Sequence, residues 1–316
     1  MTESVVDLVD RARAGEARAI ARLISMVEDG SPHLPEMLAA LRGGGSAYVV
    51  GVTGAPGVGK STATNALVTA YRERGQRVAV LAVDPSSPFT GGALLGDRIR
   101  MQEHAGDSGV YIRSMASRGQ LGGLAAATPQ AVRVLESAGF DVVLVETVGV
   151  GQSEVDVAAT ADATVVLLAP GMGDGIQAAK AGILEIGDIL CVNKADRDGA
   201  ANTVREVRNM LQLGGDRDGW RPVVVTSVAA QGQVDDLVAA LDERRVWLDE
   251  GDHLAMRRRQ RARGEVLALA LGGVRARLEE QMLGEGAADV HAVAEGSMTP
   301  YEAAARLAAE DDRMGA

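Results

Sequence analysis

Short, continuous apolar runs limit what this chain can fold into more than any other feature. They begin near residue 47, are rich in Val and Ile, and show no polar alternation. The six runs are 47–53, 77–83, 142–146, 164–169, 189–193 and 222–226. Such runs are typical of strands that are covered on both faces, as in a parallel sheet. Helical patterns lie between them, so the sequence predicts an α/β fold with a doubly wound, mostly parallel sheet.

The composition restricts the interior and the partners. With only 2 Trp, 4 Tyr and 2 Phe, the core has to be built from aliphatic side chains. A net charge of −11 suits neither nucleic acid nor an anionic membrane surface, so we expect neither as a partner. The single cysteine and the lack of a visible signal-peptide pattern or a long apolar run predict a cytoplasmic protein.

Helical patterns occupy both ends of the chain. Residues 5–29 show the spacing of one amphipathic helix, and residues 35–41 form a second, which ends at a run of three glycines. After residue 234 the strand patterns cease. We therefore predict an N-terminal helical extension (1–45), a sheet domain (46–233) and a C-terminal helical arm (234–316). A basic cluster in the arm has no interleaved aromatics and is interpreted as a solvated helix face; it consists of Arg257, Arg258, Arg259, Arg261 and Arg263.

A glycine-rich loop follows the run that starts at residue 47. The segment Gly54-Ala55-Pro56-Gly57-Val58-Gly59-Lys60-Ser61-Thr62 contains the pattern G-x-x-x-x-G-K-[ST] in full. Glycines let backbone N–H groups turn inward around a phosphate, and the following helix N-terminus adds partial positive charge. Lys60 would reach the β and γ oxygens, and the Ser61 hydroxyl would bind Mg²⁺. The loop predicts a nucleoside triphosphate site without naming the base.

A tetrapeptide after the fifth run points to guanine. In Asn193-Lys194-Ala195-Asp196, the carboxylate can accept hydrogen bonds from guanine N1–H and the exocyclic amine, which adenine cannot match. Asn193 would tie this segment to the phosphate loop, and the Lys194 stem would lie over the base. In the loop after the last run we expect a further backbone contact to the guanine oxygen, at Ser227, Val228 and Ala229; this expectation rests on position alone.

Three acids follow strand patterns on the phosphate-loop side. Asp84 closes the second run, Asp97 lies in the next loop, and Glu146 closes the third run. Acids at these positions can hold Mg²⁺ and orient an attacking water, and we name Lys60, Asp97 and Glu146 as catalytic candidates. The alternative is that the acids are helix caps and turn residues.

Two further glycine-rich loops are switch candidates. Residues 117–123 contain Arg118, a candidate stabiliser of phosphate charge, and residues 170–175 precede Gln177 and Lys180. Glycines at this density let a loop adopt two conformations, as a nucleotide switch requires. Each loop alone is equally compatible with a flexible connector.

Taken together, these segments resemble the MeaB/ArgK-like GTPases of the SIMIBI class of P-loop proteins. The resemblance rests on 54–62, 82–98, 117–123, 145–154, 193–196 and 226–232. It implies a P-loop GTPase domain that uses GTP or GDP with Mg²⁺, metal roles for Ser61, Asp84, Asp97 and Glu146, and a switch in 169–180. It further implies a homodimer formed through the C-terminal arm, and a chaperone role in cofactor loading or protection of adenosylcobalamin-dependent methylmalonyl-CoA mutase or a related acyl-CoA mutase.

Two other functions share this fold. A nickel-inserting GTPase needs Cys and His clusters, whereas this chain has one Cys and four separated histidines (His33, His104, His253 and His291). A metabolic kinase linked to arginine or ornithine transport would need a pocket for its substrate, and the sequence indicates none.

Overall fold

A computed structural model provides the structure of the chain. It describes residues 4–84, 102–104, 106–116, 124–147, 152–171, 186–213, 219–284 and 286–314. Within these ranges no helix is both long enough and apolar enough to cross a membrane.

The centre of the fold is a parallel sheet of seven described strands in the order β3-β2-β4-β1-β5-β6-β7. In chain order the strands are β1 (Tyr48–Gly54), β2 (Val78–Asp84), β3 (Val110–Ala116), β4 (Val142–Thr147), β5 (Ala163–Leu168), β6 (Ile189–Val192) and β7 (Val223–Thr226). Every pairing is parallel, which confirms the predicted fold class. The apolar runs predicted six of these strands and missed β3, an edge strand that carries Arg113 and Ser114 among its apolar residues.

Helices flank the sheet and form both ends of the chain. They are α1 (Val5–Arg13), α2 (Ala17–Glu28), α3 (Leu34–Ala40), α4 (Lys60–Glu73), α5 (Leu124–Ser137), α6 (Gln152–Thr160), α7 (Ala200–Leu213), α8 (Asp235–Asp249), α9 (His253–Leu283), α10 (Ala287–Ala294) and α11 (Pro300–Met314). The prediction of one helix over 5–29 was wrong, because the chain breaks at Gly15, whose φ of 86° ends α1. Helix α10 was not predicted.

The N-terminal helices form an outer layer on one face of the sheet. Buried side chains of α1 and α2, including Leu8, Ile20 and Ile24, share one apolar cluster with α5 and with β1, β2 and β4. Arg113 of β3 donates to Ser25 Oγ at 2.8 Å and forms an ion pair with Glu28, both on α2. The other face packs against α4 and α8, so the sheet is covered on both sides.

The arm docks on the amino-terminal edge of the sheet through its basic cluster. Asp162 and Asp188 immediately precede β5 and β6 and are almost fully buried. Arg257 of α9 lies 3.2 Å from Asp188, Arg258 lies 3.4 Å from Asp162, and Arg261 lies 3.8 Å from the same carboxylate. The interpretation of a solvated helix face was wrong for these three arginines, since buried carboxylates require cationic partners.

Candidate nucleotide-binding site

The phosphate loop joins the end of β1 to the start of α4, at the carboxyl edge of the sheet. Gly54 (φ 142°) and Gly59 (φ 96°) have backbone conformations that favour glycine. A Cβ on Gly54 would lie 2.4 Å from Leu167 O, and one on Gly59 would lie 2.6 Å from Asn193 Nδ2. A Cβ on Gly57 (φ 80°) would meet no described atom within 4 Å. The loop is therefore closely packed on its protein side and open at Gly57.

Lys60 places its charge inside this loop. Its Nζ donates to Gly54 O at 2.7 Å and to Ala55 O at 3.3 Å, and the residue is only 8% exposed. An ammonium held at the centre of a glycine loop, beside a helix N-terminus, is an arrangement suited to binding phosphate oxygens.

Ser61 and Glu146 bring two oxygen ligands together. Ser61 Oγ donates to Glu146 Oε1 at 2.7 Å, and Glu146 is buried at the end of β4. Both are hard oxygen donors, which suit Mg²⁺. Within the described ranges, no three His, Cys, Asp or Glu side chains come together as a metal cage.

Five of the predicted residues have side chains outside the described part of the structure. The backbone of Asp84 ends β2, which pairs with β4, so the residue lies at the same sheet edge as Glu146. Its side chain lies outside the described part of the structure, and so do Asp97, Arg118, Gln177 and Lys180.

Asn193 interlocks the phosphate loop with the loop after β7. Its Nδ2 donates to Val58 O at 2.9 Å, which confirms the predicted tie. Its Oδ1 accepts from Ser227 Oγ at 3.0 Å and from Ala229 N at 3.2 Å. Lys194, which has a φ of 57°, donates from Nζ to Gly57 O at 2.6 Å. The predicted phosphate and base segments therefore form one connected site.

The backbone N–H groups predicted to read guanine are engaged within the protein. Ser227 N donates to Val192 O, Val228 N to Gln233 O, and Ala229 N to Asn193 Oδ1. Among the described residues of this loop, Ala230 is the nearest whose N–H has no intramolecular acceptor, and it is exposed at the 3-10 turn Ala229–Gln231. The position after the three predicted residues is therefore better placed for a base contact.

A cavity of about 590 Å³ lies between the start of α4 and this loop. It is lined by Ser61, Thr62, Asn65, Ala66, Thr69, Ala70, Glu73, Glu103, Ala229, Ala230, Gly232, Val234 and Asp235. The cavity adjoins the predicted site at Ser61 and Ala229, but neither residues 54–60 of the phosphate loop nor the tetrapeptide 193–196 line it. Asp196 is exposed in the loop after β6, where it is accessible to a ligand.

Comparison with known proteins identifies the family. A family model described as methylmalonyl-CoA mutase-associated GTPase MeaB matches residues 20–283. The chain belongs to the MeaB family of GTPases. The match covers the glycine-rich loop before α4, the tetrapeptide 193–196 and helix α9.

Individual relatives agree with this assignment. A protein of Pyrococcus abyssi named as a GTPase is 45% identical over 304 residues, which is 94% of each chain. The methylmalonic aciduria type A homolog of Caenorhabditis elegans is 42% identical over 217 residues, or 67% of this chain and 54% of that one. Among solved structures, a LAO/AO transport system kinase matches with a TM-score of 0.72 and 26% identity, covering 98% of this chain and 97% of that one.

Proposed function

We propose that this MeaB-family protein binds GTP with Mg²⁺, hydrolyses it to GDP and phosphate, and uses the change of state to act on a B12-dependent acyl-CoA mutase. The observation that carries the nucleotide part is the interlock at Asn193, which joins the phosphate loop and the guanine-type loop in one site. A glycine-rich turn that matched the motif by chance would not be tied to a base-reading tetrapeptide.

The described residues divide the work of the site. Lys60 and the loop amides hold the β and γ phosphates, and Lys60 adds positive charge where negative charge grows during transfer. Ser61 and Glu146 would hold Mg²⁺, with Asp84 and Asp97 as further acidic ligands. Bound Mg²⁺ would neutralise phosphate charge. Asp196 accepts the two guanine donors and so excludes adenine.

Two substitutions test the nucleotide assignment. Lys60→Ala should abolish measurable GTP hydrolysis, because it removes the positive charge that stabilises the γ-phosphate oxygens. Asp196→Asn should weaken GTP binding and favour xanthosine triphosphate, because an amide can donate to the xanthine carbonyl. Asp198→Asn, an exposed acid two residues further on, is the matched control. Parental turnover in Lys60→Ala, or an unchanged base preference in Asp196→Asn, would contradict the assignment.

The partner is proposed from the family. The family description names methylmalonyl-CoA mutase, and the name of the worm relative refers to methylmalonic aciduria. We propose that Arg118, Gln177 and Lys180 belong to switch loops that the mutase contacts. The double substitution Gln177→Ala with Lys180→Ala should leave GTP binding nearly intact and remove the stimulation of hydrolysis by added mutase. Full stimulation in the double variant would place the switch elsewhere.

We propose that the C-terminal arm binds a second copy of the chain through an apolar stripe on α9. Leu267, Leu271, Val274 and Leu278 recur on α9 at spacings of four, three and four, the pattern of a coiled-coil seam. Leu267 is 56% exposed and Leu271 is 59% exposed, which is unusual for such a stripe unless it is covered. Leu271→Glu should convert a dimer into a monomer in light scattering after gel filtration. Arg259→Glu, on the same helix outside the stripe, should leave the mass unchanged.

A further inference from the structure

We propose that Ser227 is a positioning residue, which controls nucleotide binding by orienting the side chain of Asn193 rather than by touching the nucleotide. This inference rests on the proposed function, because it concerns the same site. Its basis is a buried chain of hydrogen bonds that begins at Cys191 and ends in the phosphate loop.

The side chain of Ser227 is committed within the protein. The residue is 4% exposed, its Oγ donates to Asn193 Oδ1 at 3.0 Å, and its Oγ also lies 3.2 Å from Cys191 Sγ. A serine hydroxyl carries one proton, and the amide oxygen of Asn193 has none to give. The thiol of Cys191 is therefore the donor in the second contact. Burial raises the pKa of that thiol to about 12, so it keeps its proton.

The bonds around Asn193 allow only one orientation of its amide. Oδ1 accepts from the Ser227 hydroxyl and from Ala229 N, while Nδ2 donates to Val58 O. A flipped amide would direct an N–H group at the Ala229 N–H and its oxygen at the Val58 carbonyl, two partners whose polarity is fixed. Ser227 thus helps to hold Asn193 Nδ2 toward the phosphate loop. There Nδ2 lies so close to Gly59 that a Cβ on that glycine would be 2.6 Å from it.

The backbone of Ser227 supports the same loop. Ser227 O accepts from Ala195 N at 3.1 Å, and Ala195 immediately precedes Asp196. The main chain of Ser227 therefore holds the base-reading segment while its side chain holds Asn193. Removal of the hydroxyl leaves the first interaction in place and weakens only the second, which makes a selective test available.

A double-substitution cycle tests the inference on the full-length chain. The four proteins are the unsubstituted chain, Ser227→Ala, Asn193→Ala and the double variant, and the measurement is the Kd for a fluorescent GDP. Loss of one hydrogen bond between neutral groups predicts that Ser227→Ala raises the Kd about fivefold. If Ser227 acts through Asn193, then Ser227→Ala has almost no further effect when Asn193 is already alanine.

Controls separate positioning from a general loss of structure. Ser137→Ala removes another buried serine, whose Oγ accepts from Arg13 far from the site, and should not change the Kd for GDP. Ser227→Cys keeps the branching of the side chain with a somewhat larger and weaker donor, and it replaces Ser227→Ala in the cycle if that variant does not fold; a reductant in the buffer prevents a disulfide with Cys191.

Two results overturn the inference in distinguishable ways. Additive effects of Ser227→Ala and Asn193→Ala would show that Ser227 does not act through Asn193, while guanine binding itself would stand. Failure of the unsubstituted chain to bind any guanine nucleotide would overturn the proposed function and this inference together.

Discussion

Asp188→Asn should be among the more destabilising single substitutions outside the nucleotide site. The Asp188 carboxylate precedes β6 and accepts from Thr164 N at 2.8 Å. It lies 3.1 Å from Arg244 of α8 and 3.2 Å from Arg257 of α9. The substitution preserves the shape of the side chain and removes the negative charge that balances these cations.

The magnitude follows from the burial of this pair. The side chains of Asp188 and Arg244 are each 2% exposed. Removing one member of a buried pair costs about 3–5 kcal/mol, because a charge stays behind in a low-dielectric environment. Arg244 also lies 4.9 Å from the ring of Trp220 and 4.5 Å from that of Trp247, so part of its stabilisation survives. We therefore expect about 3 kcal/mol, a fall in Tm on the order of 10 °C.

The assay is thermal unfolding followed by tryptophan emission. Both tryptophans of the chain flank Arg244, so their emission reports on this junction directly. Asp242→Asn is the control, because Asp242 forms an ion pair with Arg74 at 2.7 Å in which both side chains are almost half exposed. Exposed pairs contribute less than about 1 kcal/mol. Equal melting temperatures for Asp188→Asn and Asp242→Asn would refute the reasoning.

Three further predictions concern the site and the N-terminal layer. Gly59→Ala should weaken GDP binding by about tenfold or more in a fluorescence titration, since its Cβ would lie 2.6 Å from Asn193 Nδ2 and would disturb the tie to the phosphate loop. Gly57→Ala meets no protein atom, so it should lower the melting temperature of the free protein only by the backbone cost of a positive φ. Replacing the Ala230 amide by an ester should raise the Kd for GDP about fivefold, with no change for a 2-aminopurine analogue that lacks the 6-oxygen. Deletion of residues 1–45 should yield a chain that aggregates on gel filtration, because it exposes the apolar surface of α5 that α2 covers.

The strands were predictable from sequence where burial on both faces makes a segment almost entirely apolar. Strands β1, β4 and β5 are buried on both faces, so their sequences are apolar over most of their length and easily recognised. The edge strand β3 escaped because Arg113 interrupts its pattern. The partners of that arginine are Ser25 and Glu28 of α2, which are distant in sequence. Similarly, Gly15 reads as a tolerable interruption of one helix, and only the packing of α1 and α2 decides that it is a turn.

The candidate site was predictable to the extent that its chemistry is local. The phosphate loop and the tetrapeptide that starts at Asn193 each contain their own signal, and the structure joins them. The proposal of Ala230 as the backbone contact could not be made from the sequence, because it depends on which N–H groups of the loop are already engaged. The prediction of a solvated face for Arg257, Arg258 and Arg261 was wrong for a related reason. Their partners, Asp162 and Asp188, are far from α9 along the chain.

Strand β6 connects the anchor of the C-terminal arm with the loop proposed to bind the guanine base. It is only four residues long, about 13 Å, with Asp188 before its first residue and Asn193 after its last. The arm is therefore anchored at one end of the strand that carries the base loop at its other end. All four residues of β6 are buried, and the strand is paired on both sides with β5 and β7. A strand held in this way resists sliding, so loss of the anchor at Asp188 should loosen α8 and α9 while the Kd for GDP stays within about twofold. A larger change in the Kd for GDP would mean that β6 shifts as a rigid unit, so that a displacement of the arm also displaces the base loop.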